Sequence, residues 1–307
     1  MKNYGSVLQS LALQYKLDQL NVKNEIIQYE EYISRKMRME IFFKLQVPKL
    51  LSTEILRKKI ILTKRKKDDE IYNRVLRDRT NVFTEFVAQK FTFSPRYENI
   101  EQIITDMPKY NGILLGSDQL WCPSDLIIDY HTLSWVPEKV YKATYATSFG
   151  VARLTGGQRK KVKQFITRFS DLSVREKSAV QFLETACNIN VKQVLDPTLL
   201  LTRNEWDKLL KENKIIQEKY IFCYFLSNNI QLKKWAQELK EKTGIKLVTI
   251  PHLEAYDKES ESFGDIQLWR INPEDFVNLI RNAEYVLSDS FHASIFSIIY
   301  KKKISCI

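Results

Sequence analysis

The second half of the chain sets the strongest constraint, because strand-like and helix-like segments take turns along it. Tyr220 to Leu226 (YIFCYFL) is a nearly continuous apolar run, the pattern of a strand buried on both faces. Asn229 to Lys242 reads as a helix stopped by Gly244. Ile245 to Ile250 is strand-like again, Asp265 to Trp269 is a weaker strand, and Pro273 to Ala283 is a helix with proline near its start. The last stretch, Glu284 to Ile307, repeats the unit. A Tyr-Val-Leu run leads into the polar turn Ser288-Asp289-Ser290, and Phe291, Ile295, Ile298 and Ile299 follow at helical spacing. Lys301 to Lys303 close that helix, and a strand runs on to Ile307. Strands joined through helices cannot pair as hairpins, so the expected class is α/β with a parallel sheet and helices on both faces.

A sheet of this kind also says where to look for chemistry. Ligands lie beyond the carboxyl ends of the strands. The free N–H groups and dipole of a following helix favour an anion there. His292 falls in the first turn after the last polar turn, with Ser290 at the cap position. A phosphate near Ser290 to Ala293, with His292 beside it, is the expectation that follows.

The first half is less regular. Asn3 to Ser6 is a turn signal before a helix, and Asn24 to Tyr29 is a short strand. Residues 31 to 90 read as mostly helical, interrupted at Pro48, with a loop at Lys64 to Glu70. Ile113 to Leu115 and Lys142 to Ser148 are strands, followed by a basic helix from Gln158, a strand at Asp171 to Val174, a helix from Ser178 and a strand at Val191 to Leu195. Asp196-Pro197 reads as a turn between domains. With 307 residues two domains are expected: 1–213, carrying a basic helical insertion at about 31–90, and 214–307.

Charge narrows the partners. Of a formal net charge of +11, the segment Arg35 to Arg79 alone supplies +9, from 15 Lys and Arg against 6 acidic residues. A solvated helical surface explains this at least cost, and peripheral contact of residues 35–79 with an anionic membrane face is the second reading. Nucleic acid is not expected: no recognition fold is legible, and Phe42, Phe43 and Tyr72 do not interleave regularly with the charge. Four scattered cysteines and three histidines leave a metal site and disulfides unexpected. No stretch has the length of a transmembrane helix, and Met1 to Lys16 lacks a long apolar core, so a cytoplasmic protein is expected. His131 and His252 have no motif around them, and the tryptophans read as packing, although Trp121 follows a loop from which it could stack on a sugar.

Six short pieces, in order and spread over nearly the whole chain, together resemble the polysaccharide pyruvyl transferase family. They are Asn3-Tyr4-Gly5-Ser6-Val7-Leu8-Gln9, Gly116-Ser117-Asp118-Gln119 with Trp121, Tyr145-Ala146-Thr147-Ser148-Phe149-Gly150, Ser173-Val174-Arg175-Glu176, Leu195-Asp196-Pro197-Thr198 and Asp289-Ser290-Phe291-His292. The resemblance implies two Rossmann-like domains facing a cleft, as in type-B glycosyltransferases. It implies transfer of a pyruvyl group from phosphoenolpyruvate onto sugar hydroxyls of a cell-surface or exopolysaccharide precursor. A pyruvate ketal forms and phosphate is released, with phosphoenolpyruvate as donor substrate, no cofactor, and a sugar or lipid-linked glycan as acceptor, at the inner face of the membrane.

Such chemistry needs a proton on the methylene carbon and removal of protons from two hydroxyls, work suited to histidine. His292 is the expected acid/base or phosphate-binding group. The resemblance makes Arg175 the second donor-binding residue, and arginine suits bidentate contact with carboxylate or phosphate. Asp118 and Gln119 are expected on acceptor hydroxyls, with Ser117, Ser290 and Tyr4 also at the site. Where some members have arginine two residues before the histidine, this chain has Ser290. Members also continue beyond a strand equivalent to that at Ile304, so the C-terminal domain is expected to be short. Two other readings stay open. One is a nucleotide-sugar-dependent glycosyltransferase of the same architecture; the other is an inactive, truncated paralogue that binds glycan or partners.

Overall fold

The computed structural model describes residues 3–29, 35–43, 53–251 and 262–306. Pro48, within the basic segment, and His252 lie outside the described residues. The chain divides into two compact units of the α/β class, one formed by residues 9–51 and 91–200, the other by residues 1–8, 52–90 and 201–307.

The first unit holds six described strands: β1 (Ile26–Tyr29), β2 (Phe93–Tyr97), β3 (Gly112–Leu115), β4 (Tyr141–Thr144), β5 (Ser173–Val174) and β6 (Lys192–Gln193). They pair β1 with β2, β3 with β4 and β5 with β6, all parallel. Isolated bridges at Ala143–Asp171 and Thr147–Val174 carry the pairing from β4 to β5. Side chains help there: the Thr144 hydroxyl donates to the Ser173 carbonyl, and the Ser173 hydroxyl to the Thr144 carbonyl. The core contains Trp121, Val162, Phe165, Ile166 and Leu183, all fully buried, with the Trp121 ring against Phe149, Phe165 and Phe169. Trp121 is therefore a packing residue, and its indole N–H donates to the His131 carbonyl.

The second unit holds β7 (Tyr220–Tyr224), β8 (Lys246–Thr249), β9 (Ile266–Gln267), β10 (Tyr285–Ser288) and β11 (Lys303–Cys306) in one parallel sheet of order β11-β10-β7-β8-β9. Counted along this unit the order is 5-4-1-2-3, the doubly wound arrangement, and its direction reverses between β7 and β10. Every residue of β7 is buried, as its unbroken apolar sequence requires. The helices between strands begin and end where the sequence marks them. Asn229 caps Ile230–Thr243, which ends at Gly244 with φ +71; Asn272 caps Pro273–Asn282; Ser290 caps Phe291–Ile299.

Two expectations about the first half need correction. Residues 64–68 are not a loop: one helix runs Thr53–Asp68 and the next Glu70–Lys90, with Asp69 between them. Lysine and arginine are good helix formers and suit a helix C-terminus, while the Asp69 carboxylate accepts from the Tyr72 N–H and pairs with Arg65 at 3.0 Å. The domain boundary also shifts. Residues 52–90 and 201–213 belong with the C-terminal strands. On Glu70–Lys90 the buried residues Tyr72, Arg79, Phe83 and Phe86 form one stripe, in which Arg79 donates to the carbonyls of Trp269 and Pro251. Phe83 meets the Tyr4 ring at 4.8 Å. Trp206 packs edge-on to Phe296, and Asp207 accepts from the Tyr300 hydroxyl. An apolar stripe thinly spread among lysines and arginines does not reveal in sequence which sheet it will cover. Among the described residues no helix is long and apolar enough to cross a membrane.

Candidate active site

In the five-stranded unit the strand order reverses between β7 and β10, and the turns after these two strands are tied together. The Asp289 carboxylate accepts from the backbone N–H of Leu226 (2.6 Å) and of Ser227 (3.0 Å), and from the Ser227 hydroxyl (2.5 Å). One step back, the Ser288 hydroxyl donates to the Tyr224 carbonyl and accepts from the Ser290 N–H. Ser290 is 6% exposed and its hydroxyl accepts from the Ala293 N–H, which fixes the start of the helix Phe291–Ile299. His292 is thereby set in the first turn at the carboxyl end of β10, 8% exposed, with the half-exposed Phe291 ring edge-on at 5.1 Å.

The other side of the imidazole meets the amino-terminal motif. The Asn3 side chain accepts from the Ser6 N–H and opens the helix Tyr4–Gln19, so the expected turn is its first turn. A Cβ on Gly5 would stand 2.0 Å from His292 Nδ1, so only glycine leaves room for the ring. Tyr4 itself is buried: its ring stacks on Phe276 at 4.7 Å and its hydroxyl donates to the Ile271 carbonyl. Burial pushes its pKa up to about 12, so it stays a neutral donor.

In the six-stranded unit the remaining motifs gather at the carboxyl ends of β3, β4 and β5. Arg175, next after β5, donates through Nε to Glu176 and through Nη1 to Asp196, each at 3.0 Å, and its Nη2 lies 3.9 Å from Asp118. Asp196 is buried; its other oxygen accepts from the N–H and hydroxyl of Thr198. Ser117 is fully buried, its hydroxyl 3.0 Å from Asp196 and 2.9 Å from the Ala146 carbonyl. The Ser148 hydroxyl donates to the Glu176 oxygen that Arg175 also holds, and Glu176 Oε2 is enclosed with no hydrogen-bond partner among the described residues. Asp118 adopts a left-handed conformation, φ +84, costly for a residue with a Cβ, and the bond from the Ser148 N–H to its carbonyl holds it there. Gln119 is exposed and lies against Gly150, φ +64, where a Cβ would stand 2.8 Å from its Cδ.

The structure thus gathers Ser290 and His292 in one unit, with Tyr4 packed in the same unit, and Ser117, Asp118, Gln119 and Arg175 in the other. Asp118 and Gln119 retain exposed surface; Ser117 and Tyr4 have spent their hydroxyls on neighbours. Asp196 is more than a turn residue, because a buried carboxylate needs partners, and Arg175, Thr198 and Ser117 are among those it finds. Asp289 and Glu176 stand inside the sequence motifs, yet the sequence assigned neither a role; their hydrogen bonds to Leu226 and Ser227, and to Arg175 and Ser148, appear only in the fold. Among the described residues no group of three His, Cys, Asp or Glu side chains could hold a metal ion.

No curated protein matches the chain. Among solved structures, UDP-GlcNAc 2-epimerase from Methanocaldococcus jannaschii is 14% identical at a TM-score of 0.46, over 67% of this chain and 63% of that one. UDP-N-acetylglucosamine 2-epimerase from Rickettsia bellii is 15% identical at 0.46, over 73% and 66%. The chain therefore spans slightly less than two thirds of the length of either. The family model for polysaccharide pyruvyl transferase matches residues 3–307, so the chain belongs to the polysaccharide pyruvyl transferase family.

Proposed function

We propose that the protein transfers a pyruvyl group from phosphoenolpyruvate to two hydroxyls of a sugar in a cell-surface glycan precursor. The observation that carries this reading is His292, held at a helix N-terminus where the strand order of its sheet reverses. A proton delivered to the methylene carbon makes C2 electrophilic, and a sugar hydroxyl adds there. Loss of phosphate and addition of the second hydroxyl close the ketal. The two hydroxyl protons balance the one gained by carbon and the one carried off by phosphate. His292 is the acid/base or phosphate-binding group, and Asp118 and Gln119 hold acceptor hydroxyls. Arg175 faces three carboxylates, which leaves little net attraction for an anion, so its role in this reading is to position Asp118 and Glu176. Ser290, Ser117 and Tyr4 support these groups through their own hydrogen bonds.

A nucleotide-sugar donor fits less well. In doubly wound sheets the turn after the first strand cradles a pyrophosphate on free backbone N–H groups. Here the N–H groups of Leu226 and Ser227 are already taken by Asp289, and Leu226 to Ile230 contains no glycine. The basic segment suits attachment to an anionic membrane face carrying lipid-linked acceptors: Met39 and Phe43 are more than half exposed beside Arg38. Sedimentation with anionic vesicles tests that part, and no binding at low salt ends it.

Thermal unfolding with phosphoenolpyruvate tests the main reading, since a ligand of the folded state alone raises stability by about 2.7 kcal/mol at 100 times its Kd. Stabilisation of the native chain that is lost in His292→Ala is expected. No shift at millimolar phosphoenolpyruvate, with a shift on a uridine diphosphate sugar, would replace this reading with the glycosyltransferase one. A folded chain that binds neither and releases no phosphate would be an inactive relative.

A further inference from the structure

A cavity of about 230 Å³ opens in the six-stranded unit between the segment Phe149–Leu154 and the helices Gly156–Phe165 and Lys177–Cys187. Phe149, Leu154, Ala179 and Phe182 are among its apolar lining, and the rings of Phe149 and Phe182 meet edge-on at 5.9 Å. Arg153 and Arg159 line it with the polar side chains of Ser178, Gln181 and Thr185. No Asp or Glu is among its described lining residues. Arg159 donates through Nε to the Leu154 carbonyl, and its guanidinium lies 5.8 Å from the centre of the Phe182 ring. Neither arginine forms an ion pair among the described residues. This contrasts with Arg175 in the same unit, which is enclosed by carboxylates.

Two uncompensated guanidiniums over an aromatic wall select a ligand with an anionic group on a partly apolar body. At this volume the cavity falls below the roughly 300–1,000 Å³ of sites for drug-sized ligands, so it suits one sugar unit better than an oligosaccharide. Its position links it to the acceptor groups: Phe149 and Val151, which line it, flank Gly150, against which Gln119 is packed.

We propose that this cavity is a subsite for a sugar bearing a phosphate or carboxylate, with Arg153 and Arg159 as its cationic ligands, so that the acceptor of this enzyme is an anionic glycan. The subsite deepens the pyruvyl-transfer reading and rests on it only for naming the bound sugar as acceptor. Calorimetric titration of the full chain with glucose 1-phosphate, glucuronate, glucose and inorganic phosphate tests it, on the native protein, Arg153→Gln, Arg159→Gln and the double variant. Both side chains are exposed, and melting curves check that each variant is folded. Glucose 1-phosphate or glucuronate should bind at least about tenfold more tightly than glucose, a difference of about 1.4 kcal/mol. The double variant should lose that advantage, with the single variants in between. Comparison of the two acidic sugars tells phosphate from carboxylate as the group recognised. Equal binding by native and double variant, binding of glucose as tight as that of either acidic sugar, or inorganic phosphate binding as tightly as glucose 1-phosphate would each overturn the proposal. Stabilisation by phosphoenolpyruvate, measured alongside, should be unchanged in the double variant. Arginine-dependent sugar binding without any effect of phosphoenolpyruvate would uphold the subsite and remove the donor.

Discussion

The His292 imidazole lies so close to the Gly5 backbone that a methyl group on Gly5 would stand 2.0 Å from Nδ1 and 2.3 Å from Cγ. Within a helix, Gly→Ala ordinarily stabilises by about 1 kcal/mol. At Gly5 the sign reverses, because the ring is confined by its own buried position. Gly5→Ala is expected to destabilise by about 2 kcal/mol, as overpacking does, and to lower the rate of phosphate release. Gly157→Ala, in open space on the helix Gly156–Phe165, is the control and should be neutral or slightly stabilising. Urea unfolding of the two variants decides it; equal effects would mean that the contact does not constrain the ring.

Asp289 joins the turns after β7 and β10 by three hydrogen bonds. Asp289→Ala should cost about 2 kcal/mol, within the range for hydrogen bonds to charged groups. It should also lower kcat more than it raises KM for phosphoenolpyruvate, since the helix start bearing His292 loses its anchor. A variant with native kcat and reduced stability would give Asp289 a purely structural role.

Asp196 is the buried partner of Arg175 and receives Thr198 and Ser117 as well. Removing one member of a buried pair leaves the other uncompensated, so Asp196→Ala is expected to destabilise by about 3 kcal/mol. Arg175→Lys should be costly too, because an ammonium cannot reproduce the planar fork that reaches Asp196 and Glu176 together. Chemical denaturation measures both, and a change under 1 kcal/mol for Asp196→Ala would show that the network is not what holds these strand ends.

A pH effect is expected at Asp125, away from the motifs. Burial works to raise its pKa, but hydrogen bonds from His131 (2.9 Å) and from the Cys122 thiol (2.8 Å) outweigh it and hold the carboxyl below its ordinary range. A carboxyl whose folded pKa is depressed adds stability above its unfolded value, about 4, and loses it as the pH falls through the folded value. Asp125→Asn should therefore be less stable than the native protein at pH 6, and the gap should close towards pH 3. A gap independent of pH would refute the linkage. The Cys122 thiol, raised by burial and by the same carboxylate, stays protonated throughout.

The sequence by itself determined the class of the fold and the local frame of the site. Apolar runs, caps and stop residues are local signals. They placed β7, β8 and β10, the helix starting after Ser290, and His292 in its first turn, each within a residue or two. The pieces least visible were those whose local signal is weak, such as β2, a five-residue strand with Pro95 inside it. Only the tertiary structure decided the rest. The reversal of strand order between β7 and β10, the filling of the first turn by Asp289, and the assignment of Glu70–Lys90 to the C-terminal strands all depend on which surfaces meet. So do the three carboxylates around Arg175 and the two guanidiniums without any at the cavity. Arg153, Arg159 and Arg175 are alike as letters in a sequence. What each can bind is set by the charges that folding brings beside it, and those come from residues far away along the chain.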